Sequence, residues 1–236
     1  MVDPEDGIFS SSLKHSLAPI YEKSIVDSFP FYKSTKEMLR FYQQSVKRLN
    51  SYFPNIDGDV LHQYIHDQFI YDRGKNIEEF IKNAGLINHA KIEEQTKKIA
   101  LRVLAKTYFI KDEVFCSHQM ISPLKDHRDQ KSWGGLGKSF KITRINRPHF
   151  DVFGLDIEFD LSPKTWMLKL MRHARILRLL MPMWHHKEKQ IAHQLRQEVL
   201  QLISNNVVDV DAYKKLDRIN GYREVRFKKF DEALSE

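Results

Sequence analysis

Apolar residues recur at intervals of three and four along most of this chain, the period of a helix with one buried face. Residues 1–12 read as a polar, flexible tail. Ser34 and Thr35 can then cap a helix carrying Met38, Leu39, Tyr42, Val46 and Leu49 on one side and ending before Pro54. Asp59 can cap a second, with Val60, Leu61, Tyr64, Ile65 and Phe69 as its apolar face. Residues 77–84 predict a short helix that stops at Gly85. From Lys91 to Tyr108, Ile92, Ile99, Val103 and Leu104 form a buried stripe, with Glu and Lys on the remaining surface.

The pattern changes after residue 120. The run 121–139 is polar and contains Pro123, Gly134, Gly135 and Gly137, so it reads as a surface loop between a helical part at 13–120 and a second part at 140–236. Phe140 to Asn146 alternates apolar and polar residues, and Val152 to Leu161 does so again around Gly154. Together they predict a small antiparallel β ribbon within 140–161. Ser162 and Pro163 then offer an N-cap and a proline at the first helical position. The helix expected from there runs through Trp166, Leu170, Met171, Ala174, Leu177 and Leu180 until Pro182 interrupts it. A long helix over 183–203, a shorter one over 211–219 and a helical tail over 222–234 complete a mainly α chain.

Composition narrows the class. Hydrophobic residues at 42 % and charged residues at 29 % exclude wholesale disorder, and only 9 glycines in 236 residues argue against an all-β fold. No apolar run approaches the roughly 18 residues needed to cross a bilayer. The opening MVDPEDGIFSSS shows no secretory signal. The lone Cys116 excludes an intramolecular disulfide, a cysteine-based zinc cluster and an iron–sulfur cluster held by this chain alone. A reducing, cytoplasmic location is the expectation. A net charge of +7 permits an acidic protein or a nucleic acid as partner without demanding either.

Candidate chemistry is sparse. WGGLGKS at 133–139 lacks the first glycine of a phosphate-binding loop, Ser132 standing there instead, and lacks the strand-before, helix-after setting. His62 and His66, four apart, could face one metal ion, but no further ligand declares itself. Cys116 and His118 would share a face in an extended segment, without an orienting group. His185 and His186, with His193 two turns on, open the long helix beyond Pro182. Arg172, Arg175 and Arg178 form a basic stripe that could grip carboxylates or phosphates, beside a strongly apolar face that must be covered. These three arginines with His185 and His186 are the candidate partner- or anion-binding residues, and no catalytic or metal-ligating set is assigned.

Four segments carry a resemblance. They are Tyr108 to Val114 (YFIKDEV), Ile157 to Pro163 (IEFDLSP), Trp166 to Leu168 with Arg175 to Arg178, and Arg218 to Arg226 (RINGYREVR). In this order they resemble the C-terminal region of the fused indolepyruvate:ferredoxin oxidoreductases, the part beyond the catalytic and gamma-type domains. The resemblance covers roughly residues 90–230. It implies a non-catalytic accessory subunit of a 2-oxoacid:ferredoxin oxidoreductase-type complex, with thiamine diphosphate and an iron–sulfur cluster in partner chains and no cofactor in this one. The alternative from the residues alone is a basic helical nucleic-acid-binding or ribonucleoprotein component, supported by aromatic residues beside basic ones at Tyr222-Arg223 and Arg226-Phe227-Lys228. A free-standing enzyme using His185, His186 and the arginine stripe ranks last.

Overall fold

The computed structural model describes residues 16–29, 35–133, 149–152, 155–158, 162–181, 183–221 and 223–235. They form twelve helices and one short strand pair. The expected tail over 1–12, the WGGLGKS glycines and the expected strand Phe140–Asn146 lie outside the described residues.

Helix α1 (Ala18–Ser28) is closed at its start from a distance. The Asp59 carboxylate accepts the Leu17 backbone N–H at 2.8 Å. Asp59 therefore does not cap its own helix. That role falls to Asp57, whose side chain accepts from Asp59 N at 2.8 Å to open α3 (Gly58–Asp72). Between them α2 (Thr35–Tyr52) buries Met38, Tyr42, Val46 and Leu49, the face its periodicity predicts. Helix α3 ends at Arg73 (φ 65°) and Gly74 (φ 76°). Glycine is required at the second of these positions, because a Cβ there would meet the Phe69 ring at 3.0 Å. Helix α4 (Ile77–His89) runs through Gly85, which packs beneath the Tyr52 ring instead of ending the helix. Helix α5 (Glu94–Lys106) is buried over a wider arc than one stripe, with Thr96, Ala100, Leu101 and Ala105 inside as well. It touches α3, α4, and later α10 and α11, so neighbours cover it on several sides.

Helix α6 (Glu113–Met120) is capped by Asp112, which accepts Phe115 N at 2.8 Å. Of the expected surface loop over 121–139, residues 123–133 are helical. Helix α7 occupies Pro123–Trp133 and packs on α1. Its start has a plain cause: Ser122 Oγ accepts Lys125 N at 3.2 Å, and Pro123 follows at the first helical position, where its missing N–H costs nothing. Strands β1 (His149–Val152) and β2 (Leu155–Glu158) pair antiparallel, with His149 opposite Glu158. The described pairing thus lies inside and just ahead of the run read as a single strand at Val152–Leu161.

The expected continuous helix from Ser162 to Leu180 is two pieces, α8 (Thr165–Met171) and α9 (Leu177–Leu180), and Lys164, not Ser162, stands at the N-cap. The link stays coiled but tightens. His173 N bonds Leu170 O, Ala174 N bonds Met171 O and Leu177 N bonds Ala174 O, all three residues apart. Helices α10 (His186–Ser204), α11 (Val210–Asp217, capped by Asp209) and α12 (Glu224–Ser235) follow.

One hydrophobic core joins the two parts of the chain. Ile191, Leu195 and Val199 of α10, Tyr213 of α11 and Phe227 of α12 belong to the same buried cluster as Tyr42, Ile65 and Leu104. Charged ties reinforce it. Asp217 receives Arg102 at 3.0 and 2.6 Å and Lys106 at 3.1 Å, fastening α11 to α5. Arg196 reaches Thr107 O at 2.8 Å and Glu79 at 3.0 Å across the Tyr108 ring. Glu188 of α10 accepts Arg226 at 2.7 Å and the Arg223 backbone N–H at 2.8 Å. Among the described residues, no helix is long and apolar enough to cross a membrane.

Candidate docking face

The arginines of the stripe sort by position. In a coil with three residues per turn, side chains three apart eclipse one another. The tightened link therefore turns Arg175 and Arg178 to the same side, and that side is the interior. Arg178 pairs with the Asp112 carboxylate through Nε at 2.6 Å and Nη2 at 2.8 Å, donates to Tyr71 O, and lies 4.1 Å over the Tyr71 ring. Arg175 donates to Ile70 O and lies 4.6 Å over the Phe29 ring. Burial, with Arg178 and Arg73 close by, pulls the Arg175 guanidinium down to about 9. All three arginines are half-buried, and Arg172 differs in its partner, its Nε lying 3.1 Å from His173 Nε2. It lines an open groove of about 560 Å³ with Lys169, Val26, Asp27, Thr35 and Ile121. Two of the three arginines expected to face a partner are thus spent on the C-terminal end of α3 and the N-terminal end of α6.

The apolar side has the opposite fate. A helical residue points about 100° around the axis from the one before it. Leu168 and Arg178 face inward, so Trp166 and Leu170 of α8, and Ile176, Leu179 and Leu180 at α9, fall on the far side. Together with Met183 they are between 57 and 78 % exposed. The face expected to be covered is everted: polar anchors point in, and large apolar side chains point out.

The histidine pair separates in the same way. His185 has a left-handed backbone (φ 54°) and is buried, with Nε2 2.9 Å from Glu113 Oε2 and its ring beside the buried Trp184. His186, the next residue, is exposed. His185 thus serves to seat the start of α10 on α6, and the two imidazoles do not converge.

Other candidate groups are interior. His62 Nδ1 lies 2.8 Å from Tyr42 Oη. His66 lies between Ser24 Oγ, 2.9 Å from Nε2, and Asp67 Oδ1, 3.2 Å from Nδ1, and Asp67 also accepts Gln119 at 3.0 Å. This serine–histidine–aspartate chain has the contact order of an activated nucleophile, and sequence spacing gives no sign of it. All three residues are buried, and the Ser24 hydroxyl lies against the His66 ring on the covered side of α1. In that position the chain knits α1 to α3. Cys116 and His118 lie on helix α6, not on an extended segment. Burial raises the Cys116 thiol to about 12. Burial also depresses the His118 imidazole to about 2, aided by Arg175, Arg172 and His173. Its Nδ1 is 3.3 Å from Ser28 Oγ, and its Nε2 is buried without a hydrogen-bond partner. Among the described residues no group of three or more His, Cys, Asp and Glu side chains is arranged to hold a metal ion.

No family model, no curated protein and no solved structure matches the chain.

Proposed function

We propose that this protein is a non-catalytic accessory component of a larger assembly, and that α8–α9 is an attachment face. The everted apolar surface carries the reading. Six large apolar side chains project into solvent along residues 166–183, a stretch that Arg175 and Arg178 tie to α3 and α6, and water-facing patches of this kind mark interaction sites. The histidines read from sequence as candidate chemistry at His62, His66 and His185 serve as internal fasteners.

In its finer form the assembly is of the 2-oxoacid:ferredoxin oxidoreductase type, with this chain as a separate subunit and thiamine diphosphate and the iron–sulfur cluster in partner chains. Support comes from the four similar segments and from where they lie. Asp112 of the first pairs with Arg178 of the third. Arg226 of the last pairs with Glu188 of α10. Segments that hold helices together are those a shared domain would retain.

Affinity purification of the full chain from its native cells under gentle conditions tests this. The expected result is a stoichiometric complex whose other subunits contain thiamine diphosphate and show iron–sulfur absorbance. A stable monomer that co-purifies with no such subunit overturns the finer reading.

A further inference from the structure

We propose that the α8–α9 face seats the protein on an anionic membrane surface. This rests on reading α8–α9 as an attachment face, and names what it attaches to.

Charge is the first argument. Between Asp160 and Glu188 the chain contains no acidic residue, yet it contains Lys164, Lys169, Arg172, His173 and Lys187. Lys164, Lys169 and His173 are exposed, and Arg172 is half-buried. With Arg175 and Arg178 turned inward, Lys164, Lys169 and Arg172 are the cations beside the projecting apolar residues, whereas burial and Arg172 keep the His173 imidazole below its usual range and Lys187 lies over the Phe227 ring. The nearest carboxylate across the groove from Lys169 and Arg172 is Asp27, already engaged by Lys23 at 2.6 Å. A surface that presents leucines and a tryptophan with cations beside them matches the boundary between anionic headgroups and acyl chains.

Shape is the second. The apolar side chains stand outward from two short coils, whereas the groove beside them is lined by Lys169, Arg172 and Asp27 and is partly polar. Lipid accommodates outward-standing side chains without a prepared socket. Trp166 suits the same level, because an indole ring combines an apolar body with an N–H donor. The face is also ordered beforehand by the Asp112–Arg178 pair, so little conformational entropy remains to be lost on binding. An acidic protein groove is the competing occupant, and the vesicle and co-purification measurements separate the two.

The test is co-sedimentation of the full chain with vesicles of phosphatidylcholine alone, or of phosphatidylcholine with phosphatidylserine, with circular dichroism as the folding check. The wild-type protein should sediment with the anionic vesicles, be released by salt, and show a blue shift in emission that Trp166→Phe removes. Leu179→Ser and Leu180→Ser should each weaken binding about tenfold or more, the loss expected for one leucine kept out of the apolar layer. Lys164→Glu and Lys169→Glu should each weaken it at least about fivefold. Leu86→Ser, an exposed apolar site on α4, should leave it unchanged. Equal affinity for neutral and anionic vesicles, or folded leucine variants that bind like the wild type, overturns the proposal. If the wild type ignores vesicles while Leu179→Ser releases co-purifying subunits, the attachment reading stands and its occupant is a protein.

Discussion

Replacing Arg178 by methionine removes the charge that holds α9 to α6 while keeping a side chain of similar length. Asp112 then loses two hydrogen bonds, of 2.6 and 2.8 Å, and keeps the capping bond from Phe115 N and the attraction of Lys189 and Arg175. Tyr71 O loses a donor, and the Tyr71 ring loses the guanidinium over its face. Removing one partner of a buried pair costs about 3–5 kcal/mol, chiefly because the other charge is left uncompensated. The surviving capping bond places this case near the lower bound, and the lost cation–π contact adds about 0.5–1 kcal/mol. The expected cost is therefore about 3–4 kcal/mol. Asp112→Asn retains the N-cap and should cost less, about 2 kcal/mol. The double variant removes both charges of the pair, so its cost should fall short of the sum of the singles by about 2 kcal/mol. Urea unfolding followed by circular dichroism measures all three. Arg178→Met within about 1 kcal/mol of the wild type, or additive single costs, would refute the claim that this arginine is an internal anchor.

Three further changes probe the frame. His118 stays neutral in the folded protein down to about pH 2, whereas in the unfolded chain it takes a proton near 6.5. Below that pH the unfolded state binds the extra proton, so this group's contribution falls on acidification by about 1.4 kcal/mol per pH unit. His118→Gln should flatten the measured stability–pH curve by that slope between pH 6 and 4, and an unchanged slope would show the imidazole to be accessible. Gly74→Ala forces a Cβ into a left-handed site against the Phe69 ring and should cost at least about 1–2 kcal/mol, read by urea unfolding. Asp217→Asn removes the negative charge shared by Arg102 and Lys106 and the Oδ2 acceptor of Arg102 Nη2, leaving one carbonyl oxygen. It should cost about 1.5–3 kcal/mol, lowering Tm by about 3 °C per kcal/mol in thermal unfolding.

Periodicity made the helical frame legible, because α2 and α10 each bury one face and an apolar spacing of three and four encodes that directly. Errors arose where one local signal had two readings. Ser122-Pro123 and Ser162-Pro163 are the same dipeptide, yet only the first opens a helix at once. Gly85 reads as a stop from sequence, yet α4 runs through it to His89, with Tyr52 of another helix in ordinary contact distance above it. Asp59 looked like a local cap, but its carboxylate serves a backbone amide 42 residues away. Long-range partners of this kind leave no trace in spacing.

The eversion of α8–α9 has the same origin. From sequence, an arginine stripe beside a leucine-rich face suggests leucines in and arginines out, because burying a guanidinium without partners is costly. That expectation fails when the partners already exist. Ile70 O and Tyr71 O lie at the end of α3, where the last carbonyls of a helix lack intrahelical donors, and Asp112 lies at the start of α6. A helix C-terminus attracts cations, and so does a buried capping carboxylate. The two sites together receive Arg175 and Arg178, and the three-residue spacing lets one tightened coil deliver both. Once they are inside, the opposite side of the same coil can only face out. The exposed leucines are thus the geometric consequence of the inward-turned arginines, and loss of the Asp112–Arg178 pair should loosen the attachment face before it unfolds the core.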